Sequence, residues 1–365
     1  MKNNPFKFGS IVEDQYFTDR TNEIERVNSI IGSQNHLIII SPRRFGKSSL
    51  IMKVTGQLDR PVIAIDMQLI TSTTDLAAQI LKRIYRIFPF EKVRQLVQHF
   101  RIIPTITLNP VTNQVEVAFL PDSSHLPLLE DVLNLMEKLS TERKKLLVIF
   151  DEFQEIRRIN ADLMRQLRSI MQQHKLINYV FLGSQESLIK EIFEKKKSPF
   201  YHFGMILQLG KIPEADFIDY LEKRLMPVHE NAANLAQQII SYTSCHPYYT
   251  QQLAFVVWDK CNQDSLTSNP VRDAVMDLIA MHDMDYERWW MALNKTDKKL
   301  MIGLSYSGFA PLSEAFYRKY DIGASSTAFS SIKRLMENGY INKVDNKYEM
   351  DDPFFSQWLK QRREA

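Results

Sequence analysis

The 365-residue sequence predicts an α/β fold with a parallel sheet, followed by a helical segment and a small unit of helices and a wing. Two apolar runs, 37–40 and 146–150, each have the pattern of a strand buried on both faces of a parallel sheet. Each run is followed by polar residues. After residue 210 the strand patterns give way to helical ones. We therefore place the sheet in the first half of the chain.

Composition and charge are those of a globular protein, with 44% hydrophobic and 24% charged residues. No apolar run approaches the ~20 residues that a membrane span needs, and the N-terminus lacks the apolar core of a signal peptide. The only cysteines, Cys245 and Cys261, have no metal-ligand spacing. These features predict a cytoplasmic protein with no membrane partner. The net charge of +3 is too small to indicate nucleic acid by itself.

The first half also contains an interruption of the α/β pattern. Residues 105–108 and 115–119, separated by a turn at 109–113, predict a β-hairpin insertion. The other elements predicted before residue 210 are a helix through Ile24, Val27 and Ile30, a helix over 50–54, strand 61–66, helix 75–99, helix 126–140, helix 160–174 and strand 178–182.

A phosphate-binding loop is predicted directly after the first strand. The segment matches G-x-x-x-x-G-K-[ST], with Ser41 in place of the first glycine. Gly46 allows close approach to phosphate oxygens, Lys47 supplies a cation for the terminal phosphates, and Ser48 offers a hydroxyl to Mg²⁺. The predicted nucleotide-binding residues of this loop are Ser41, Pro42, Arg43, Arg44, Phe45, Gly46, Lys47, Ser48 and Ser49.

Two carboxylates follow the second apolar run, at the end where open α/β sheets bind ligands. Asp151 is placed to hold Mg²⁺ with Ser48, and Glu152 is placed to polarise an attacking water. A helix cap would explain one of these carboxylates but not both. Ser184, at the tip of the strand 178–182, either senses the γ-phosphate or belongs to an ordinary polar loop. We predict ATP and Mg²⁺ as cofactors and Glu152, Lys47 and Ser184 as the catalytic residues.

The last unit, residues 294–365, predicts a winged helix-turn-helix: three helices followed by two short strands. Its 12 Lys and Arg against 9 Asp and Glu give a weaker basic character than most DNA-binding domains have. Lys333, Arg334, Lys343 and Lys347 are placed to meet phosphates. The first half of the third helix is neutral, so a protein partner is the alternative to DNA.

Together these features resemble the archaeal-type ATPase family, in the AAA+/STAND group of P-loop ATPases. The resemblance depends mainly on the loop 41–49 and on Phe150-Asp151-Glu152-Phe153-Gln154. It implies a P-loop NTPase domain with an AAA+-like parallel sheet and β-hairpin insertion over 1–210, a helical lid domain over 211–290 and a winged helix domain over 291–365. It also implies that Arg20 lies near the base and ribose. His246 and Pro247 resemble a lid motif that contacts adenine and phosphates. Without the resemblance, the residues favour a buried structural histidine at position 246.

The chain departs from the family pattern at two places. Residues 244–245 are Ser-Cys where relatives often carry two glycines, and residues 202–203 are His-Phe where relatives often carry glycine and arginine. Arg165 and Arg168 are candidate replacements for that arginine, although a solvated helix face explains them as well.

Two functions follow from these patterns. In the first, ATP binds between the α/β domain and the lid, and the nucleotide state controls a winged helix domain that contacts DNA, a protein partner or a second copy of the chain. In the second, nucleotide stabilises a DNA-binding or protein scaffold with negligible turnover. Glu152 favours the first.

Overall fold

The computed structural model describes residues 3–12, 16–18, 20–109, 115–119, 125–160, 162–262, 269–307, 311–344 and 347–363. The chain divides into two compact units. The sheet unit comprises residues 20–43 and 47–209, and the helical unit comprises residues 1–19, 44–46 and 210–365. Among the residues in the described ranges, no helix is both long and apolar enough to cross a membrane.

The sheet unit is organised by a five-stranded parallel sheet in the order β2-β5-β6-β1-β7, with a separate antiparallel hairpin of β3 and β4. The strands are β1 Leu37–Ile40, β2 Val62–Asp66, β3 Thr105–Leu108, β4 Val115–Ala118, β5 Leu146–Asp151, β6 Ile177–Gly183 and β7 Met205–Gln208. The parallel sheet and the hairpin are confirmed. The sequence did not predict β7, a four-residue edge strand. The hairpin turn at 110–114 lies outside the described residues.

Strand order decides which strand ends are neighbours. Because β6 lies between β1 and β5, Gly183 at the end of β6 aligns with Ile40 at the end of β1, and Phe181 aligns with Phe150 of β5. All residues of β1 and β6 are buried, as expected of central strands covered on both faces. The polar residues that follow these three strands therefore emerge side by side.

The helices of the sheet unit are α1 Thr21–Gly32, α2 Lys47–Thr55, α3 Thr73–Ile87, α4 Phe90–Val97, α5 His125–Leu139, α6 Ile156–Ile159, α7 Leu163–Met171 and α8 Glu186–Phe193. The single helix predicted over 75–99 is wrong, because the chain is extended at Phe88, before Pro89. Proline disfavours the helical conformation in the residue that precedes it.

A half-buried histidine, His36, lies at the other end of β1, before its first residue. The His36 ring lies 4.5 Å from the Phe203 ring and 5.3 Å from the Tyr179 ring, and its Nδ1 accepts a hydrogen bond from the Tyr179 backbone N at 3.2 Å. Burial, with smaller effects of the Arg168 and His174 charges, lowers the pKa of His36 to about 4. The folded protein therefore favours the neutral imidazole.

We expect the free energy of unfolding to fall as the pH drops from about 6.5 to about 4. An unfolded histidine takes up a proton near pH 6.5, whereas folded His36 does so only near pH 4. In this window the unfolded state binds more protons, so acid removes stability. A shift of this size corresponds to about 3 kcal/mol. Urea unfolding at pH 7 and pH 5 measures the first part of this change, about 2 kcal/mol.

The variant that tests this prediction is His36→Asn. Its side-chain oxygen can accept the hydrogen bond from the Tyr179 backbone N but does not titrate. It should show a smaller stability loss between pH 7 and pH 5 than the wild type. His99→Asn, at an exposed histidine of the same unit, should leave the loss unchanged. Equal losses in the wild type and His36→Asn would contradict the prediction.

The helical unit contains α9 Glu214–Leu225, α10 Ala232–Thr243, α11 Pro247–Asn262, α12 Pro270–Met281, α13 Asp283–Ala292, α14 Lys295–Ser307, α15 Glu314–Tyr320, α16 Ser325–Glu337, β8 Ile341–Val344, β9 Lys347–Met350 and α17 Pro353–Arg362. The predicted winged helix is confirmed, with α14, α15 and α16 followed by the antiparallel wing of β8 and β9. The wing turn at 345–346 lies outside the described residues. The sequence did not predict α17.

The last helix, α17, links the wing to the helices that precede it. Asp352 caps the helix by accepting hydrogen bonds from the backbone N of Phe354 at 2.8 Å and of Phe355 at 3.2 Å. The Tyr286 hydroxyl donates to Asp352 at 3.1 Å, and the Phe354 ring lies 5.8 Å from the Tyr249 ring. One apolar core contains Phe6 and buried residues from Ile212 to Leu359. The boundary at residue 291 stays a sequence prediction.

Candidate phosphate and catalytic site

The loop after β1 has a backbone conformation that depends on glycine. Gly46 has φ +89°, a value that residues with a side chain rarely adopt. Arg44 also lies in the left-handed region, with φ 64°. Ser41, at the position of the first glycine in the pattern, is buried, and its backbone N donates to Gly183 O at 3.3 Å. The loop is therefore anchored at its start to the end of β6.

Lys47 begins α2 and is only 6% exposed. Its Nζ lies 3.1 Å from Pro42 O and 3.3 Å from both Ser41 O and Ser41 Oγ, so it is held against the start of the loop. Burial lowers the pKa of Lys47, and the charges of Glu152 and Asp151 oppose this effect. The Lys47 ammonium therefore places a positive charge beside the backbone of the loop, as phosphate binding requires.

Ser48 and Asp151 form an oxygen pair suited to Mg²⁺. The Ser48 hydroxyl donates to Asp151 Oδ2 at 3.1 Å. Burial raises the pKa of Asp151 and the neighbouring Glu152 charge adds to this, against hydrogen bonds from the Glu152 backbone and Ser48. In the described part of the chain, no three His, Cys, Asp or Glu side chains converge on a metal site. One carboxylate and one hydroxyl fit Mg²⁺, which usually takes its other ligands from water and phosphate.

Glu152 lies at the end of β5 in the left-handed conformation, with φ 49°. Its Oε2 accepts hydrogen bonds from the Ser184 hydroxyl at 2.6 Å and from Gln154 Nε2. Ser184 follows β6, and Gln154 lies in a 3-10 helix over Phe153–Glu155. The sheet unit therefore brings together the predicted residues Ser41, Lys47, Ser48, Asp151, Glu152 and Ser184.

The tip of the loop belongs to the helical unit. There Arg44 Nη1 donates to the Tyr249 hydroxyl at 2.8 Å, and the guanidinium lies 4.8 Å from the Tyr248 ring. The Phe45 ring lies 4.8 Å from the ring of His246.

His246 itself is buried directly before Pro247, the first residue of α11. Burial, with smaller effects of Lys211 and Arg44, lowers its pKa to about 3. His246 is therefore neutral at ordinary pH, so any contact that it makes with a nucleotide would use a neutral ring.

Comparison with protein families identifies this arrangement. A model described as "ATPase domain predominantly from Archaea" matches residues 17–249. The chain belongs to this archaeal-type ATPase family. A second model, described as "Probable winged helix domain", matches residues 284–361 of the same ATPase. No curated protein matches the chain.

Two solved structures share the fold of this archaeal-type ATPase. The Walker-type ATPase of Pyrococcus abyssi is 16% identical, with a TM-score of 0.65 over 95% of this chain and 97% of that one. The ORC1 protein of Aeropyrum pernix, solved in complex with DNA, is 12% identical, with a TM-score of 0.52 over 99% of this chain and 98% of that one. At these identities the likeness is one of fold.

The departures from the family pattern occur where the backbone is left-handed. Ser244 has φ 50° and Cys245 has φ 60°, and His202 has φ 54°. Glycine adopts such values without the strain that a side chain brings. The glycines expected in relatives are thus explained by backbone conformation, and this archaeal-type ATPase adopts it without them.

The two arginines considered as replacements are engaged elsewhere in the sheet unit. Arg165 pairs with Asp162 at 3.2 Å. The Arg168 guanidinium lies 4.5 Å from the ring of Phe203, which contacts His36 before the start of β1. Lys47 follows the opposite end of β1, so Arg168 does not reach the phosphate loop of its own sheet unit.

Arg20 and Arg43 are two further residues that the sequence predicts to bind nucleotide. Arg20 is buried and pairs with Glu23 at 2.8 Å. Arg43 is exposed. The sequence reasoning assigned no role to Gln154, although a glutamine directly after Phe153 in a buried segment is a polar signal. Tyr249 was also missed, and its hydroxyl fixes Arg44.

Proposed function

We propose that this protein binds ATP with Mg²⁺ and hydrolyses it, and that the nucleotide state controls the winged helix. The observation that carries the proposal is the convergence of Lys47, the Ser48–Asp151 pair and the Glu152–Ser184 pair at the ends of β1, β5 and β6. A cation, a metal-binding oxygen pair and a carboxylate base are the parts that phosphoryl transfer to water requires.

Each part has a distinct task. Lys47 would donate to the β- and γ-phosphates, and the loop backbone would donate its N–H groups. Ser48 and Asp151 would hold Mg²⁺, which neutralises phosphate charge when bound. Glu152 would accept a proton from the attacking water, and Ser184 would keep the carboxylate in place while lying next to the γ-phosphate. The roles of Arg20, His246 and Pro247 toward nucleotide remain predictions.

Phosphate release tests the proposal directly. The purified chain should release phosphate from ATP in the presence of Mg²⁺ and stop when EDTA removes the metal. The scaffold alternative gives a different result: nucleotide binds, but release is no faster than in a Glu152→Gln variant, with or without duplex DNA. The two results separate the switch from the scaffold.

The output of the switch is proposed to pass through the whole helical unit. The helices α10, α12 and α13 share one apolar core with the winged helix, and α17 contacts both. A nucleotide-dependent movement of the helices before residue 290 would therefore carry the winged helix with it.

DNA is the first candidate partner of the winged helix, but its basic surface is smaller than the sequence predicts. Arg334 is held by buried Asp297, with its Nη2 2.6 Å from Oδ1 and its Nε 2.9 Å from Oδ2. Lys333 lies 3.8 Å from Glu337, and the Lys343 ammonium lies 5.5 Å from the Tyr348 ring centre. Lys333 and Lys343 are therefore the better candidates for phosphate contacts.

A protein partner is the second candidate because the exposed face of α16 carries an aromatic residue. Phe329 is 58% exposed and its neighbours Ser326 and Ser330 are neutral and exposed. Such a surface suits contact with a protein or with a second copy of the chain as well as contact with DNA bases. Mass in solution with ADP, and with a slowly hydrolysed ATP analogue, would reveal self-association.

If the winged helix binds DNA, Lys333→Glu with Lys343→Glu should weaken binding to all sequences. Phosphates carry no base information directly, so the loss should be uniform. The slope of log affinity against log salt should fall by up to about 2, since each phosphate contact contributes about 0.9. Fluorescence anisotropy at several salt concentrations measures both quantities.

The matched control is Lys196→Glu with Lys197→Glu, which makes the same charge change at exposed lysines of the sheet unit. It should change the salt slope less. If wild-type protein shows no salt-sensitive DNA binding in either nucleotide state, the protein-partner interpretation replaces this one, and the ATPase proposal is unaffected.

A further inference from the structure

Gln154 is a buried amide for which the hydrolysis scheme above has no task. It is 2% exposed, in the 3-10 helix that follows Glu152. Its Nε2 donates to Glu152 Oε2, and its Oε1 finds no hydrogen-bond partner in the described part of the chain. A buried amide that is only half satisfied is a poor stabiliser of a core. Its presence therefore needs another explanation.

The surroundings of Gln154 leave room for this amide. A side chain at Gly183 would place its Cβ 2.9 Å from Gln154 Oε1 and 2.1 Å from Ile189 Cγ1. Gly183 does not have a positive φ, so the requirement is space and not backbone conformation. The missing side chain at Gly183 thus leaves room for Ile189 and for the Gln154 amide beside the carboxylate.

Both donors at Glu152 act on the same oxygen atom. The Ser184 hydroxyl and Gln154 Nε2 each reach Oε2. Among the described residues, none donates to the other oxygen, Oε1. Two donors on one oxygen fix the plane of the carboxylate and leave the second oxygen to accept a proton.

We propose that Gln154 is a positioning residue that, together with Ser184, holds the Glu152 carboxylate so that Oε1 faces the attacking water. This inference rests on the proposed ATPase function. In addition to the Ser184 hydroxyl at the end of β6, the Gln154 amide would then be a second hydrogen-bond donor that positions the Glu152 carboxylate. Gln154 would not touch nucleotide, so its effect should fall on the rate of hydrolysis and not on binding.

The test is Gln154→Met, which keeps the length of the side chain and removes the donor. We expect kcat to fall about tenfold to a hundredfold, the scale of a misplaced catalytic group, with KM and ATP affinity within twofold of the wild type. The exposed Gln98→Met change in the same unit should leave kcat unchanged. Thermal unfolding of each variant shows whether the fold is retained.

Three results for Gln154→Met would overturn the proposal. A kcat equal to the wild-type value means that the Gln154 donor does not contribute to hydrolysis. A kcat above the wild-type value means that the donor slows hydrolysis. A parallel loss of kcat, ATP affinity and thermal stability means that Gln154 is structural.

Gln154→His supports the proposal if it restores part of the lost kcat, because it returns an N–H donor, and counts against it if it restores none while remaining folded. If wild type and Glu152→Gln hydrolyse ATP equally slowly, it is the ATPase proposal that fails.

Discussion

Lys47→Ala is expected to remove most of the affinity for ATP. Lys47 is 6% exposed, and its ammonium lies against the first residues of the loop, where we propose that the phosphates bind. Hydrogen bonds to charged groups contribute about 1.5–3 kcal/mol each, which corresponds to about 10- to 100-fold weaker binding. Isothermal titration calorimetry with ATP and MgCl₂ measures the loss.

The matched control for this variant is Lys53→Ala, which removes the same charge later on α2. It should bind ATP close to normally. ATP affinity in Lys47→Ala equal to that of the wild type would show that the loop does not bind phosphate as proposed.

Glu152→Gln is expected to retain ATP and Mg²⁺ and to slow hydrolysis by about 10²- to 10⁴-fold, the usual contribution of a general base. The amide oxygen can still accept hydrogen bonds from Ser184 and Gln154, so the shape of the site is kept. Asp151 remains available for the metal. Single-turnover release of phosphate from radiolabelled ATP gives the rate, and equilibrium binding gives the affinity.

Glu155→Gln is the control for Glu152→Gln. Glu155 ends the 3-10 helix that follows Glu152, and its carboxylate pairs with Arg158 at 2.7 Å. Its loss should leave turnover near the wild-type value. Wild-type turnover in Glu152→Gln would mean that another residue activates the water.

Much of the site could be predicted from the sequence because each strand that supplies it is a continuous apolar run with polar residues at its end. The runs before Ser41 and Asp151 made the phosphate loop and the carboxylate pair predictable. Ser184 was predicted from the strand 178–182. The parallel order that lets it reach Glu152 is set by pairing between distant segments.

The missed features have local physical reasons. Gln154 reaches the Glu152 carboxylate because the chain turns in a tight 3-10 helix directly after β5. The spacing of apolar residues in the sequence does not predict such a turn. The edge strand β7 has only four residues. In contrast, the break at Pro89 and the Asp352-Pro353 start of α17 are signals present in the sequence.

The position of α17 limits how the winged helix can be separated from the rest of the protein. Phe354, Phe355 and Trp358 are almost completely buried, and their aromatic neighbours Tyr249 and Tyr286 lie before residue 291. A fragment beginning at residue 291 would expose the parts of these three side chains that contact Tyr249 and Tyr286, with aggregation as the expected result. An isolated winged helix that keeps these contacts would therefore have to include α11 to α13, so the packing unit is larger than the three helices and the wing.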